Sequence, residues 1–303
     1  MNLRTLRYFV AIADAGSVTA AAEAVAIAQP ALSRQMRELE AEMGVPLLIR
    51  SARGVRLTPA GLTLYESAQR MLAESVRVRR QLAVRPHPSH VQVTLGVSPT
   101  LAGLILPGLV EQCLASLPDL QFKAREAFTP ELLSWVARGV VDMAVVTNPD
   151  PSRELTLYPL LGEPFALFSH AQLNIEPVVA LAQLARVPLL MTSLHRGLVE
   201  RQLLPLGGHL NIKAELDSVE AIRTMVQTGP WATIMPISAF KGHLLPVHVR
   251  ISEISGIQLS RLLVLCKRAD NNQQPILDVM HDMVQAAFAR LTRNGAFAFG
   301  PVQ

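Results

Sequence analysis

The chain has 303 residues, half of them apolar, with 17% charged, 5% aromatic and a net charge of +4. This is apolar material for roughly two domains with sizeable cores, and it excludes a disordered chain. Two cysteines, Cys113 and Cys266, are too few and too far apart for a disulfide framework or a metal cluster. The longest stretch without Asp, Glu, Lys or Arg, Pro86–Val110, carries four prolines and reads poorly as a membrane span. The N-terminus, with Arg4, Arg7 and Asp14, lacks the apolar core of a secretory signal, so the expected location is cytoplasmic. The charge is uneven. Residues 1–90 hold twelve arginines, no lysine and seven acids, a net of +5, whereas the rest of the chain nets −1. That asymmetry points to a polyanion-binding head on a neutral body.

In the head, Asn2 is placed to cap a helix whose inner face carries Leu6, Phe9, Val10 and Ala13. Gly16 ends it, and Ser17 caps a second, alanine-rich helix to about Ala26. A turn over Ile27–Pro30 leads to a third helix ending near Met43, with proline tolerated at its start. Leu32, Met36, Leu39 and Met43 form its buried stripe, while Pro30, Ser33, Arg34 and Arg37 point outward and Gln29 lies at its start. Arginine, glutamine and serine are side chains that reach base edges and phosphates, so the pattern reads as a helix-turn-helix. Leu47–Arg50 and Val55–Leu57 flank a short turn, which makes a basic wing carrying Arg50 and Arg53. Thr58-Pro59 then starts a long helix to about Val84. Its stripe of Leu62, Tyr65, Ala68, Leu72, Val76 and Leu82 calls for a partner, most economically a second copy.

Ser17 to Ala22, the run Ala28-Gln29-Pro30-Ala31-Leu32-Ser33-Arg34-Gln35, then Leu39-Glu40, Gly44, Leu47-Leu48, Arg50, Arg53-Gly54 and Leu57-Thr58-Pro59-Ala60-Gly61 form an ordered series. It resembles the LysR-type transcriptional regulators, especially the branch that contains the nitrogen assimilation control protein. Ala28 stands where many relatives carry serine, which removes a cap from the recognition helix. The resemblance implies double-stranded promoter DNA, a homodimer or dimer of dimers, a small-molecule effector and RNA polymerase as partners, with no cofactor.

Pro86–His90 reads as a hinge. Beyond it strands alternate with helices: strand 91–97, helix 101–116, strand 120–126, helix 129–139, strand 142–146. The rhythm repeats with strand 165–168, helix 178–185, strand 188–191, helix 195–206, strand 211–216, helix 218–228, strands 233–235 and 260–266, and helix 274–293. This implies α/β architecture with parallel sheet in two halves. The resemblance implies two α/β lobes like a periplasmic binding protein, with crossovers near Gly162–Phe165 and Leu263–Lys267. The expected division is therefore 1–58 winged helix-turn-helix, 59–84 linker helix, 85–90 hinge and 91–303 effector domain. Within the last, lobe I takes about 91–162 and 267–303 and lobe II about 163–266.

Open parallel sheets bind ligands beyond the carboxyl ends of their strands. Ser98, Thr100, Thr129 and Thr147 in the first lobe, and Thr192 and Ser193 in the second, fall there and suit a small anion, although each also suits an ordinary helix cap. Trp231, in Gly229-Pro230-Trp231-Ala232, is expected to narrow or fill the cleft, which raises the alternative of a regulator that needs no effector. Other classes fare worse. A solute-binding protein explains only the body, and an α/β enzyme lacks a nucleophile, acid–base or phosphate-loop constellation. Ser238-Ala239-Phe240-Lys241 has no Lys-Thr-Gly partner, and His87 with His90 has no neighbouring ligand. The expectation is a DNA-binding regulator, not an enzyme, with no metal.

Overall fold

The computed structural model describes all residues except 52–53, 84–90, 242–246, 270–274 and 300–303, and leaves out the side chains at 73, 76, 77, 79–83 and 91. Arg53, the expected hinge, Val76 and Leu82 thus lie outside what is described. The chain forms two compact units, a head and a body.

The head opens with α1 (Leu3–Ala15), where the Asn2 side chain accepts the Thr5 amide and Gly16 closes the helix at φ 60°. Next comes α2 (Val18–Ala24), capped by Ser17. The turn to α3 (Gln29–Met43) passes through Ala26 in the left-handed region. Ala28 gives α3 no side-chain cap, as its identity implies. Phe9, Ile12, Ala21, Ala22, Leu32, Met36, Leu39, Leu47 and Leu48 make one apolar core. Strands β1 (Leu48–Ser51) and β2 (Gly54–Leu57) pair antiparallel with Leu48 opposite Leu57. Two motif residues explain how the wing is set. Glu40 Oε1 accepts the amides of Leu47 (2.8 Å) and Leu48 (3.0 Å). Gly61, in α4 (Pro59–Ala83), sits so close to the wing that a Cβ there would lie 2.0 Å from the Leu47 carbonyl oxygen.

The stripe expected on α4 divides. Leu64 and Tyr65 pack against the head core, Ala68 is buried, and the Tyr65 hydroxyl donates to the Asp14 carboxylate. Tyr65 thus packs partly against the head's own core. Burial first, and then Asp14, push its pKa up to about 12. Leu62, by contrast, is 52% exposed.

In the body, β3 (Val91–Val97), α5 (Pro99–Ser116), β4 (Leu120–Glu126), α6 (Thr129–Ala137) and β5 (Met143–Thr147) build lobe I. The 16-residue β6 (Leu155–His170) follows. Lobe II contains β7 (Val178–Ala180), β8 (Leu189–Met191), α7 (Ser193–Leu203), β9 (Ile212–Glu215), α8 (Val219–Thr228), β10 (Ala232–Pro236), α9 (Ser238–Lys241) and β11 (Val249–Ser255). The chain returns to lobe I in β12 (Ser260–Arg268) and α10 (Pro275–Arg293). Strand order is β4-β3-β5-β12-β6-β10-β8-β9, with β11 on β6 and β7. The pairs β3–β4, β3–β5, β8–β9 and β8–β10 are parallel, but β12 runs antiparallel to β5 and β6.

Three expectations need correction. Residues 178–185 are not a helix but β7 and a 3₁₀ turn at Leu181–Arg186. The second crossover is not at Leu263–Lys267: Leu259 still packs in the lobe II core, Ser260 bonds Gln202 of α7, and Leu263 onward pairs with β5, so the chain crosses back over residues 260–262, opposite residues 162–164 of β6. Residues 263–266 therefore leave lobe II for lobe I. The first half of β6 and β11 also went unanticipated, because neither run alternates cleanly. Among the described residues no helix is long and apolar enough to cross a membrane.

Candidate DNA interface and inter-lobe cluster

One face of α3 carries Leu32, Met36 and Leu39 into the core, which turns Gln29, Pro30, Arg34 and Arg37 into solvent. Ser33 is half-buried and accepts from Gln29 Nε2 at 2.9 Å. Arg34 Nε meets Glu38 Oε1 at 2.8 Å, an exposed i,i+4 pair that is easily exchanged for another anion. Arg50 is exposed on β1, opposite Val55. The head thus presents a polar, arginine-bearing helix face next to a basic hairpin. The first carries donors of the type able to read bases, the second a cation of the type able to meet a phosphate.

All the hydroxyls expected at the cleft except that of Ser193 are buried, and two of them, those of Thr100 and Thr147, bond an ion pair that sequence reasoning missed. Arg261, on β12, and Glu163, on β6, are 2% and 0% exposed. Their Nη2···Oε2 separation is 2.7 Å, and Arg261 Nε donates to the same oxygen at 2.9 Å. Arg261 Nη2 also donates to Thr100 Oγ1 (3.0 Å) and Ser238 Oγ (3.2 Å), and Nη1 reaches Thr147 Oγ1 at 3.5 Å. Ser98 Oγ lies 3.2 Å from Thr100 Oγ1, and the Ser238 amide donates to Glu163 Oε1 at 2.7 Å. Thr129 sits one step out, accepting the Thr147 amide at 2.9 Å. Apart from Glu163, which lies midway along β6, each of these residues lies at a strand end or a helix start. The local signal was available: Arg261 is a lone charge beside the apolar run Leu262–Leu265, and a buried charge must be paired.

The remaining expectations separate. Thr192 caps α7 and shares a 2.9 Å hydrogen bond with His195 Nδ1, while Ser193 binds Asp217 through both amide and hydroxyl. Thr192 is thus engaged as a cap and Ser193 as a donor to a carboxylate, and neither bonds the ion pair. His195 is fully enclosed. Burial first, and then the Arg261 charge, lower its pKa to about 3, so it is neutral. Trp231 corrects an expectation outright. It precedes Ala232, which pairs with Leu189 at the start of β8, whereas Thr192 follows the end of that strand. The indole is thus at the opposite end of the strands, packed against a lobe II cluster that includes Val226 and Phe240. It does not fill the cleft. No grouping of His, Cys, Asp and Glu suited to a metal occurs among the described residues.

Comparison with known proteins agrees with this division. Residues 3–62 match the model of the bacterial regulatory helix-turn-helix protein, lysR family, and residues 87–289 match the LysR substrate binding domain. The nitrogen assimilation regulatory protein of Klebsiella aerogenes is 31% identical over 296 residues, 96% of both chains. The DNA-binding transcriptional dual regulator OxyR of Escherichia coli is 32% identical over 250 residues, covering 79% of this chain and 80% of its own. Among solved structures, CbnR, a LysR family transcriptional regulator, superposes with a TM-score of 0.66 at 24% identity over 95% of this chain and 99% of its own. A full-length OxyR variant from Pseudomonas aeruginosa gives 0.62 at 26% over 94% and 95%. With a lysR-family helix-turn-helix at its head and a LysR substrate-binding domain as its body, this chain belongs to the LysR-type transcriptional regulators.

Proposed function

We propose that the regulator reads promoter DNA through α3 and the wing, with Gln29, Ser33 and Arg34 at base edges and Pro30, Arg37, Arg50 and Arg53 positioning the helix. It does so as a cytoplasmic homodimer or dimer of dimers and performs no catalysis. The observation that carries this reading is the sidedness of α3, which is apolar inward at Leu32, Met36 and Leu39 and polar outward at Gln29, Arg34 and Arg37. Two heads with four arginines each bring about eight cations to phosphates and bases, so affinity should fall by roughly 10³–10⁵ between 50 and 200 mM salt. Fluorescence anisotropy on the regulator's own promoter fragments tests this. Arg34→Ala should cost about 1–3 kcal/mol at one or two base pairs and relax the preference there. An unchanged preference together with an unchanged salt slope would remove Arg34 from the interface.

On the same reading the body responds to a small molecule between the lobes, which acts only by binding one lobe arrangement better than another. A second reading, control without a free anion at the hydroxyl cluster, is favoured by the guanidinium that Thr100, Thr147 and Ser238 already surround.

A further inference from the structure

The carboxylate of Glu163 is held as a ligand would be held. Arg261 gives Oε2 two donors, at 2.7 and 2.9 Å, and the Ser238 amide gives Oε1 a third at 2.7 Å. Donors of this kind, a guanidinium and a backbone amide, are the usual receptors of a free carboxylate. The surroundings are dry: Thr100, Thr147, Ser238, Glu163 and Arg261 are all at least nine-tenths buried. They also come from both lobes, Thr100 and Thr147 from lobe I and Ser238 from lobe II, while Glu163 lies at the crossover. Charge is balanced within the cluster, because His195 nearby is neutral. A second anion would leave one carboxylate buried without a cation, at high cost.

We infer that Glu163 is a built-in ligand: its side chain occupies a carboxylate site formed by Arg261 and the Ser238 amide, and so fastens the two lobes without a free anion at that position. Tethering keeps this carboxylate at its receptor at no cost in association entropy. The inference concerns the body alone and is independent of the DNA interface.

The test is thermal unfolding of the full chain, followed by the fluorescence of Trp135 and Trp231. Glu163→Ala should lower Tm by on the order of 10 °C. Sodium formate, but not sodium chloride at equal ionic strength, should restore a saturable part of that loss. Formate should act on the native chain only as chloride does, and the double variant Glu163→Ala with Arg261→Met should show no formate-specific gain. The inference is overturned if Glu163→Ala gains nothing specific from formate, or if the native chain gains as much. Where Glu163→Ala does not fold, amide exchange in the native chain decides. The Ser238 amide should be protected without added anions and unchanged by formate; free exchange that formate suppresses overturns the inference.

Discussion

In the head, the side chains offered for recognition stand in solvent. Gln29, Pro30, Arg34, Arg37 and Arg50 are exposed around a core that buries a single polar side chain among the described residues, Thr5. The body reverses this. Thr100, Thr147, Glu163, Ser238 and Arg261 are buried and bonded to one another, and further buried polar groups such as His195 adjoin them. The difference follows from what each unit must do. A polyanion is met at the surface, where arginines remain hydrated and free to exchange partners. Two lobes are held in register by polar bonds that gain directionality from the absence of water. Recognition in one unit is therefore a matter of side-chain identity, and in the other a matter of who satisfies whom.

The comparison predicts that acid sensitivity resides in the body. His195 is neutral when folded, with a pKa near 3 set by burial and then by Arg261, whereas the unfolded chain takes up that proton near pH 6.5. Its contribution is complete above about pH 6.5 and is lost as pH falls toward about 3, at up to ~1.4 kcal/mol per pH unit. Urea unfolding followed by tryptophan fluorescence should show this slope, since both tryptophans, Trp135 and Trp231, lie in the body. His195→Gln should flatten it, and an unaltered slope would locate the acid sensitivity elsewhere.

Gly61→Ala should separate the units. A Cβ 2.0 Å from the Leu47 carbonyl oxygen forces α4 and the wing apart, with a cost of about 1–3 kcal/mol. Helix melting by circular dichroism should reveal an earlier head transition, together with weaker DNA binding, while the tryptophan transition stays in place. If both transitions move together, the units unfold as one and the contrast between them is not energetic.

The smallest effect expected is a gain. Ala28 leaves the start of α3 without a side-chain acceptor although its backbone is extended, at φ −67° and ψ 133°. Ala28→Ser should stabilise the head by about 1 kcal/mol. A rise in the head transition alone would confirm that the two units carry separate stabilities. No rise would mean that the α3 amides already find other acceptors.

Legibility in the sequence tracks the same contrast. The head could be read because its constraints are local. Asn2 and Ser17 cap within three residues, and Gly16 and Gly44 close α1 and α3 in the left-handed region. Glu40 reaches amides only seven and eight positions away. Lobe strands such as β3 and β5 were legible through apolar content. The inter-lobe cluster was only half legible: Ser98, Thr100 and Thr147 were placed correctly at strand ends, but the cation they serve was not. Glu163 and Arg261 are 98 positions apart, and nothing in helical or strand periodicity couples residues at that separation. Trp231 was misplaced for a related reason. A bulky residue after glycine suggests an obstruction, but only register shows which end of the sheet it obstructs.

The long strand β6 has a mechanical consequence. Residues 155–164 pair with β12 and residues 165–170 with β10 and β11, so one backbone of roughly 50 Å serves both lobes. A fully extended strand resists stretching, and sliding would break its ladders on both sides at once. The compliant mode left to it is twist. The change of partner falls at Pro164, a residue with no amide hydrogen to commit to either ladder and with a fixed φ. The connection between the lobes thus resembles a torsion bar clamped at both ends, able to transmit a rotation along the strand while holding its length constant.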